Sequence, residues 1–327
     1  MEKRELNIEV GDLIGLPSST KIAATVFIPD AAHLHRPTIV MFASPGGGYG
    51  RGYFDLPSFH GESYSQAEHH AAAGIVFVAY DHLGVGDSTC PADEELTNDV
   101  IAAANDAAVR VIVRMLEEGT VSAGLPPLKG MIKIGVGQSL GGCITIIMQG
   151  AHRTFDAIAP LASSAFQGVL PQPTEEARLR AIEGFQRGPG ERPDAAKVAK
   201  GVTDFVYPFF FDDVPRDIVE ADQQGGYPVR NTSPSWGSLT IPRCASLFMT
   251  PGNLLRPAAS IEVPVFIGLG ERDTCVEPLG EPAYFSRSPD VSVFIVPRMA
   301  HMHNFATTRR LLWSRLVAWA EMLADVT

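Results

Sequence analysis

Apolar residues in this chain fall into short unbroken runs, set between longer stretches where they recur every three or four positions. The runs at residues 37–43, 74–80, 131–136, 157–162, 263–269 and 291–296 are bounded by glycine, proline and other turn residues. Runs of that length and composition read as strands buried on both faces. Two further extended segments precede them, at residues 5–10 and 21–28. Between the runs, residues 98–116 place Val100, Ile101, Ala104, Ala108, Val111, Ile112 and Met115 at helical spacing. Residues 66–73 and 140–150 read as shorter helices. Residues 306–324 form an amphipathic helix with Leu312, Leu316, Trp319 and Leu323 on one face. Short apolar strands alternating with helices predict an α/β class protein, with a mainly parallel central sheet flanked by helices.

The rhythm breaks between about residues 164 and 257. That stretch holds a charged helical segment at 174–187, a Gly- and Pro-rich segment at 188–193, an aromatic segment at 205–211 and a turn-rich segment at 225–236. Sheet-like runs resume after it. The predicted organisation is therefore a core of residues 1–165 and 258–327, with an inserted, mostly helical cap at 166–257.

Composition narrows the partners. The chain has 327 residues, 45% hydrophobic and 19% charged, which is an ordinary globular mixture. Its formal net charge of −11 argues against nucleic acid as a main partner and against an anionic membrane surface. No apolar stretch is long enough to span a bilayer. The first ten residues carry Glu2, Lys3, Arg4 and Glu5, so they lack the apolar centre of a signal peptide. Cys90, Cys143, Cys244 and Cys275 are scattered, with no CxxC pair. The expectation is a cytoplasmic protein with reduced thiols.

Candidate chemistry centres on Gly137-Gln138-Ser139-Leu140-Gly141, a G-x-S-x-G pattern. Alone the pattern is weak, because small residues recur in any chain. Here an apolar strand precedes it and an apolar helix follows. That setting matches a sharp turn that lifts a nucleophilic serine above a sheet. The bland alternative is a glycine-lined turn whose serine caps the helix.

A serine hydroxyl needs a base. His301 and His303 lie just past the last strand, on the side where parallel-sheet enzymes assemble their sites. His301 is favoured because it follows the strand at the shorter distance; His303 stays as the alternative. An H-x-H pair without an acidic or cysteine partner nearby is weak support for a metal, and none is predicted. The third group should be a carboxylate that orients the imidazole. Asp273 sits on the loop after the penultimate strand, and the order Ser139, Asp273, His301 suits this architecture. No carboxylate stands in Ser163-Ser164-Ala165, the other common place for the acid, and Glu271 is the remaining alternative. Donors for a developing oxyanion are sought at the backbone N–H of Leu140 and in Gly46-Gly47-Gly48. The latter loop fits neither phosphate-binding glycine pattern.

Taken with Asp81-x-x-Gly84-x-Gly86-x-Ser88, these motifs and their order resemble the α/β-hydrolase superfamily over nearly the whole chain outside the cap. The resemblance implies a two-step cycle with an acyl-enzyme on Ser139, no metal or organic cofactor, and a structural role for the turn at Asp81. A halide- or epoxide-cleaving relative would need a carboxylate where Ser139 stands. Ser44-Pro45-Gly46 occupies the place of the His-Gly found in many relatives, which leaves open whether Gly46, Gly47 or Gly48 gives the second donor. A small apolar or aromatic ester or lactone is the expected substrate. Tyr207, Phe210 and Trp236, with neighbouring Phe209 and Phe211, are candidates to line its pocket, and equally candidates for plain packing. Carbon–carbon bond hydrolysis or acyl transfer by the same triad, and ligand binding with little turnover, are the competing readings. Oligomeric state, a homo-oligomer included, is left open.

Overall fold

A computed structural model describes residues 1–185, 205–227 and 230–325. Ten strands form among them: β1 (Glu2–Glu9), β2 (Lys21–Ile28), β3 (Ile39–Ser44), β4 (Asp55–Phe59), β5 (Glu62–Ser65), β6 (Val76–Tyr80), β7 (Ile132–Gln138), β8 (Ala157–Leu161), β9 (Val265–Arg272) and β10 (Val291–Ala300). Eight of these make one sheet in the order β1-β2-β6-β3-β7-β8-β9-β10. From β6 through β10 the neighbours pair parallel, while β2 runs antiparallel to both β1 and β6.

The unbroken apolar runs have the burial they require. Every residue of β3, β6 and β8 is buried, because helices cover both faces. Alternate residues of one strand serve the two sides. Val40, Phe42, Val76, Val78 and Tyr80 join the layer that includes helices Asn98–Glu118 and Leu140–His152. Ile39, Met41, Ala43, Phe77 and Ala79 face Gln66–Ala72 and Arg309–Asp325. The first long helix is capped by Thr97, whose hydroxyl accepts from the Val100 N–H, and ends at Gly119 in the left-handed region (φ 70°).

Two expectations need adjustment. The run at 291–296 is the edge strand β10, and Val291–Phe294 are only partly buried. The β4–β5 hairpin was not predicted. Its strands are short and largely polar, and its signal is a two-residue turn, His60-Gly61, with φ of 52° and 78°.

Between β8 and β9 the described chain adds no strand to the main sheet. It carries helices Glu175–Phe185, Val206–Phe209, Arg216–Gln223 and Leu255–Ala259 and a 3-10 segment at Arg243–Met249, joined by irregular chain. The predicted Gly- and Pro-rich segment at 188–193 lies outside the described residues. Among the described residues no helix is long and apolar enough to cross a membrane.

The turn after β6 braces the loop after β3. The Asp81 carboxylate accepts from the Arg51 backbone and guanidinium and from the Asp87 N–H, and a Cβ at Gly86 would lie 2.4 Å from it. The Ser88 hydroxyl donates to the Asp81 carbonyl at 3.0 Å. These contacts give the Asp81–Ser88 motif a structural task.

His82, fully buried, reaches the other way. The Pro45 carbonyl, 2.9 Å from Nε2, can only accept, and the Asn105 side-chain NH2, 2.8 Å from Nδ1, can only donate. Nε2 therefore carries the proton. Burial pushes the His82 pKa down to about 4. In the unfolded chain it lies near 6.5, so between the two values only the unfolded state takes up a proton and stability falls with pH. We expect the urea midpoint to fall between pH 7.5 and pH 5, with about 2 kcal/mol of that loss due to His82. His82→Gln, which keeps a donor and cannot titrate, should lose correspondingly less; an equal loss in both proteins would remove His82 from the account.

Candidate active site

Ser139 joins β7 to helix Leu140–His152 at φ 54°, ψ −115°, a conformation that costs a side-chain-bearing residue free energy. Its N–H donates to the Leu161 carbonyl at 2.8 Å, and its carbonyl accepts from Cys143 at 3.0 Å. The two motif glycines are required by backbone proximity. A Cβ on Gly137 would sit 2.2 Å from the Gly141 carbonyl oxygen, and one on Gly141 would sit 2.1 Å from that of Ser44. The Ser139 side chain makes no capping bond to its helix, which removes the capping explanation. Its hydroxyl instead lies 2.8 Å from His301 Nε2.

His301 follows β10 directly, and its Nδ1 is 2.7 Å from Asp273 Oδ1. An ionised carboxylate only accepts, so Nδ1 holds the proton and Nε2 is free to accept from Ser139. Asp273 follows β9 and is fixed by the backbone N–H groups of Gly270 (2.9 Å) and Thr274 (2.7 Å) and by His303 Nε2 (2.8 Å). Burial alone would raise its pKa, but the charge and hydrogen bond of His301, with those of His303, hold it well below the usual carboxylate range. The alternatives take other places. Glu271 is exposed and accepts from the Arg298 N–H, while His303 bonds Asp273.

The three loop glycines separate. A Cβ on Gly46 would lie 3.2 Å from the Ser139 Cβ and 2.3 Å from Gln138 Oε1. One on Gly47 would meet Ile241 at 3.6 Å. Gly48 turns the chain at φ 82°, and its carbonyl accepts from Ser238. Gly46 is thus the glycine beside the serine. Leu140 opens its helix, where the first N–H groups have no acceptor within the helix.

Gln138 and His82 are the residues that sequence reasoning missed. The Gln138 amide donates to the His301 carbonyl at 2.9 Å while its oxygen faces Gly46, so one side chain touches both loops around Ser139. Its only trace in the sequence is the middle position of the motif. His82 is a variable letter of the Asp81 turn.

The aromatic residues named as pocket candidates each contact neighbouring side chains. The Arg272 guanidinium lies 3.9 Å above the Tyr207 ring, and Phe210 packs on Phe305. Trp236 donates to Asp222 at 2.8 Å and packs on Phe59 and Phe305. Phe209 is the aromatic side chain set against His301, with ring centroids 5.4 Å apart. A polar recess of about 480 Å³ opens at Lys3, Arg51, Asp55 and Asp87 rather than at Ser139, and its cations are paired with its carboxylates. Among the described residues no cluster of His, Cys, Asp and Glu is arranged to hold a metal.

No protein-family model and no curated protein sequence matches the chain. Solved structures do. The haloalkane dehalogenase loop variant from Bradyrhizobium elkanii superimposes with a TM-score of 0.62 at 12% identity, over 99% of this chain and 98% of its own. The esterase RhEst1 from Rhodococcus sp. ECU1013 gives 0.61 at 15% identity, over 98% and 99%. Proline iminopeptidase from Mycobacterium smegmatis gives 0.60 at 14% identity, again over 98% and 99%. The chain has the α/β-hydrolase fold. Within that fold, Ser139, Asp273 and His301 each stand on a loop at the C-terminal end of a sheet strand.

The contrast between neighbouring glycines is testable. Gly46→Ala should slow reaction of Ser139 with a fluorophosphonate by about tenfold to a hundredfold, because the new Cβ displaces the loop or Gln138. Gly47→Ala, which meets only Ile241, should stay within about threefold of the parent. Equal rates for the two variants would contradict this placement of the loop.

Proposed function

We propose that this protein is a serine hydrolase that cleaves a small carboxylic ester or lactone through an acyl-enzyme on Ser139. The observation that carries the reading is the continuous hydrogen-bonded line Ser139–His301–Asp273, with steps of 2.8 and 2.7 Å. As Ser139 Oγ bonds to the substrate carbonyl carbon, its proton passes to His301 Nε2. Asp273 stabilises the imidazolium and keeps Nδ1 as the donor. The carbonyl oxygen becomes an oxyanion beside the Leu140 N–H and, in our assignment, the Gly46 N–H.

That assignment follows from His82. Across the trans Pro45–Gly46 peptide the carbonyl and N–H point in opposite directions. His82 holds the carbonyl on one side, which turns the N–H to the other. Collapse of the tetrahedral intermediate breaks the bond to the leaving alkoxide, which takes the proton from His301. Water then gives a proton to His301 and its oxygen to the acyl carbon, and the returning proton restores the Ser139 hydroxyl. No step needs a metal or organic cofactor.

Phe209 against His301 and Ile241 against Gly47 favour an apolar or aromatic substrate. The segment between β8 and β9 supplies both residues, and we assign it the role of a cap. The structural neighbours include esterases and a lipase, which is compatible with this chemistry. Ser139 in place of a carboxylate weighs against dehalogenation.

A fluorophosphonate should add once to the parent protein by intact mass and not at all to Ser139→Ala. Against short p-nitrophenyl esters and lactones, Ser139→Ala should lose about 10⁴- to 10⁶-fold in kcat. Turnover unchanged by that substitution would exclude Ser139 as the nucleophile.

A further inference from the structure

We propose that His303 is a positioning residue for this reaction: it fixes Asp273 from the far side, so that Asp273 orients His301 without unduly strengthening its hold on a proton. The inference rests on the reading of Ser139 and His301 given above.

Asp273 lies between two imidazoles. Oδ1 takes His301 Nδ1 at 2.7 Å and the Thr274 N–H at 2.7 Å; Oδ2 takes His303 Nε2 at 2.8 Å and the Gly270 N–H at 2.9 Å. The Thr274 hydroxyl stands 3.5 Å from Oδ1, but its single proton has a nearer acceptor in the Ala162 carbonyl at 3.2 Å, so each carboxylate oxygen has two close donors. Because Oδ2 only accepts, His303 carries its proton on Nε2. Its Nδ1 is left bare, buried, and without a partner among the described residues. A buried acceptor left unmet costs free energy, a penalty an apolar side chain of similar size would avoid. The contact that His303 does make is with Asp273.

The ring is held firmly there. The His303 N–H donates to the His301 carbonyl at 3.1 Å. Next to it, Asn304 bonds Tyr53 through its backbone N–H (3.1 Å) and its side chain (3.0 Å), and accepts from Trp313 at 2.9 Å. The other ionisable groups facing Asp273 are Tyr53, from the 3-10 turn Arg51–Phe54, and Cys275 on its own loop. Burial pushes both pKa values upward and keeps both groups neutral. The flanking charges turn away, Arg272 to Asp212 and Glu271 to the Arg298 N–H.

A donor on Oδ2 stabilises the carboxylate charge and weakens its pull on the His301 proton. Without His303 the carboxylate becomes more basic, and His301 stays protonated to higher pH. Since His301 must be neutral to accept from Ser139, His303 extends the working range towards acid.

The test measures the rate of fluorophosphonate labelling against pH for the parent, His303→Leu and His303→Gln. The acid midpoint should rise by about one pH unit in His303→Leu. His303→Gln, which returns an N–H to the place of Nε2, should restore it. A midpoint that is unchanged or lower in His303→Leu, or not restored by His303→Gln, overturns the inference. A parent protein that takes no label at all would instead sink the reading of Ser139. If His303→Leu does not fold, ¹⁵N-histidine NMR of the parent decides. His303 should be protonated at Nε2 alone at pH 7, and a proton on Nδ1 overturns the proposal.

Discussion

The arrangement depends on how tightly the backbone is held at Ser139. A positive φ on a residue with a side chain persists only where its surroundings impose it. Here β8 holds the Ser139 N–H and Cys143 its carbonyl, while Gly137 and Gly141 let neighbouring backbone come within the space of a missing Cβ. The parallel sheet makes this possible: β3, β7 and β8 lie side by side, so the serine, the glycine loop and the loop after β8 emerge together. Asp273 and His301 arrive the same way, from β9 and the edge strand β10.

Charge is the second constraint. The protein buries Asp273 ionised, which is costly unless every lone pair finds a donor. The end of β9 and the loop after it contribute one backbone donor each, Gly270 and Thr274, and the chain after β10 two imidazoles. A second buried carboxylate also gathers donors, although burial raises its pKa rather than lowering it. Asp222 accepts from Tyr49 at 2.7 Å, Trp236 at 2.8 Å and Arg230 at 3.4 Å. Tyr49 directly follows Gly48, so this cluster ties the β8–β9 excursion to the glycine loop.

Most of the sheet was legible in the sequence because a strand buried on both faces needs an unbroken apolar run, and such runs stand out. The pattern carries no information about order in the sheet, which is why 291–296 reads as interior although it forms an edge. The β4–β5 hairpin escaped because its turn is His-Gly and its strands lack alternation. Ser139, Asp273 and His301 were legible as residue types at strand ends, and the structure places them in hydrogen-bonding contact. The contacts of Gln138, His82 and His303 were not, because each depends on a partner between 23 and 163 positions away. The aromatic residues 205–211 gave the least. Composition cannot tell which ring stacks on a guanidinium, as Tyr207 does, and which meets the imidazole, as Phe209 does.

Gln138 gives the site a mechanical character that its parts alone would lack. Its amide is a strut of fixed length, bonded at one end to the His301 carbonyl and abutting Gly46 at the other. The loop that would receive negative charge and the loop that would supply the base are therefore geared together. Sequence drift at either loop has to be matched at the other or absorbed at position 138. Variation in a lineage of such proteins would accordingly come in coordinated sets, leaving the spacing between loops as the inherited quantity.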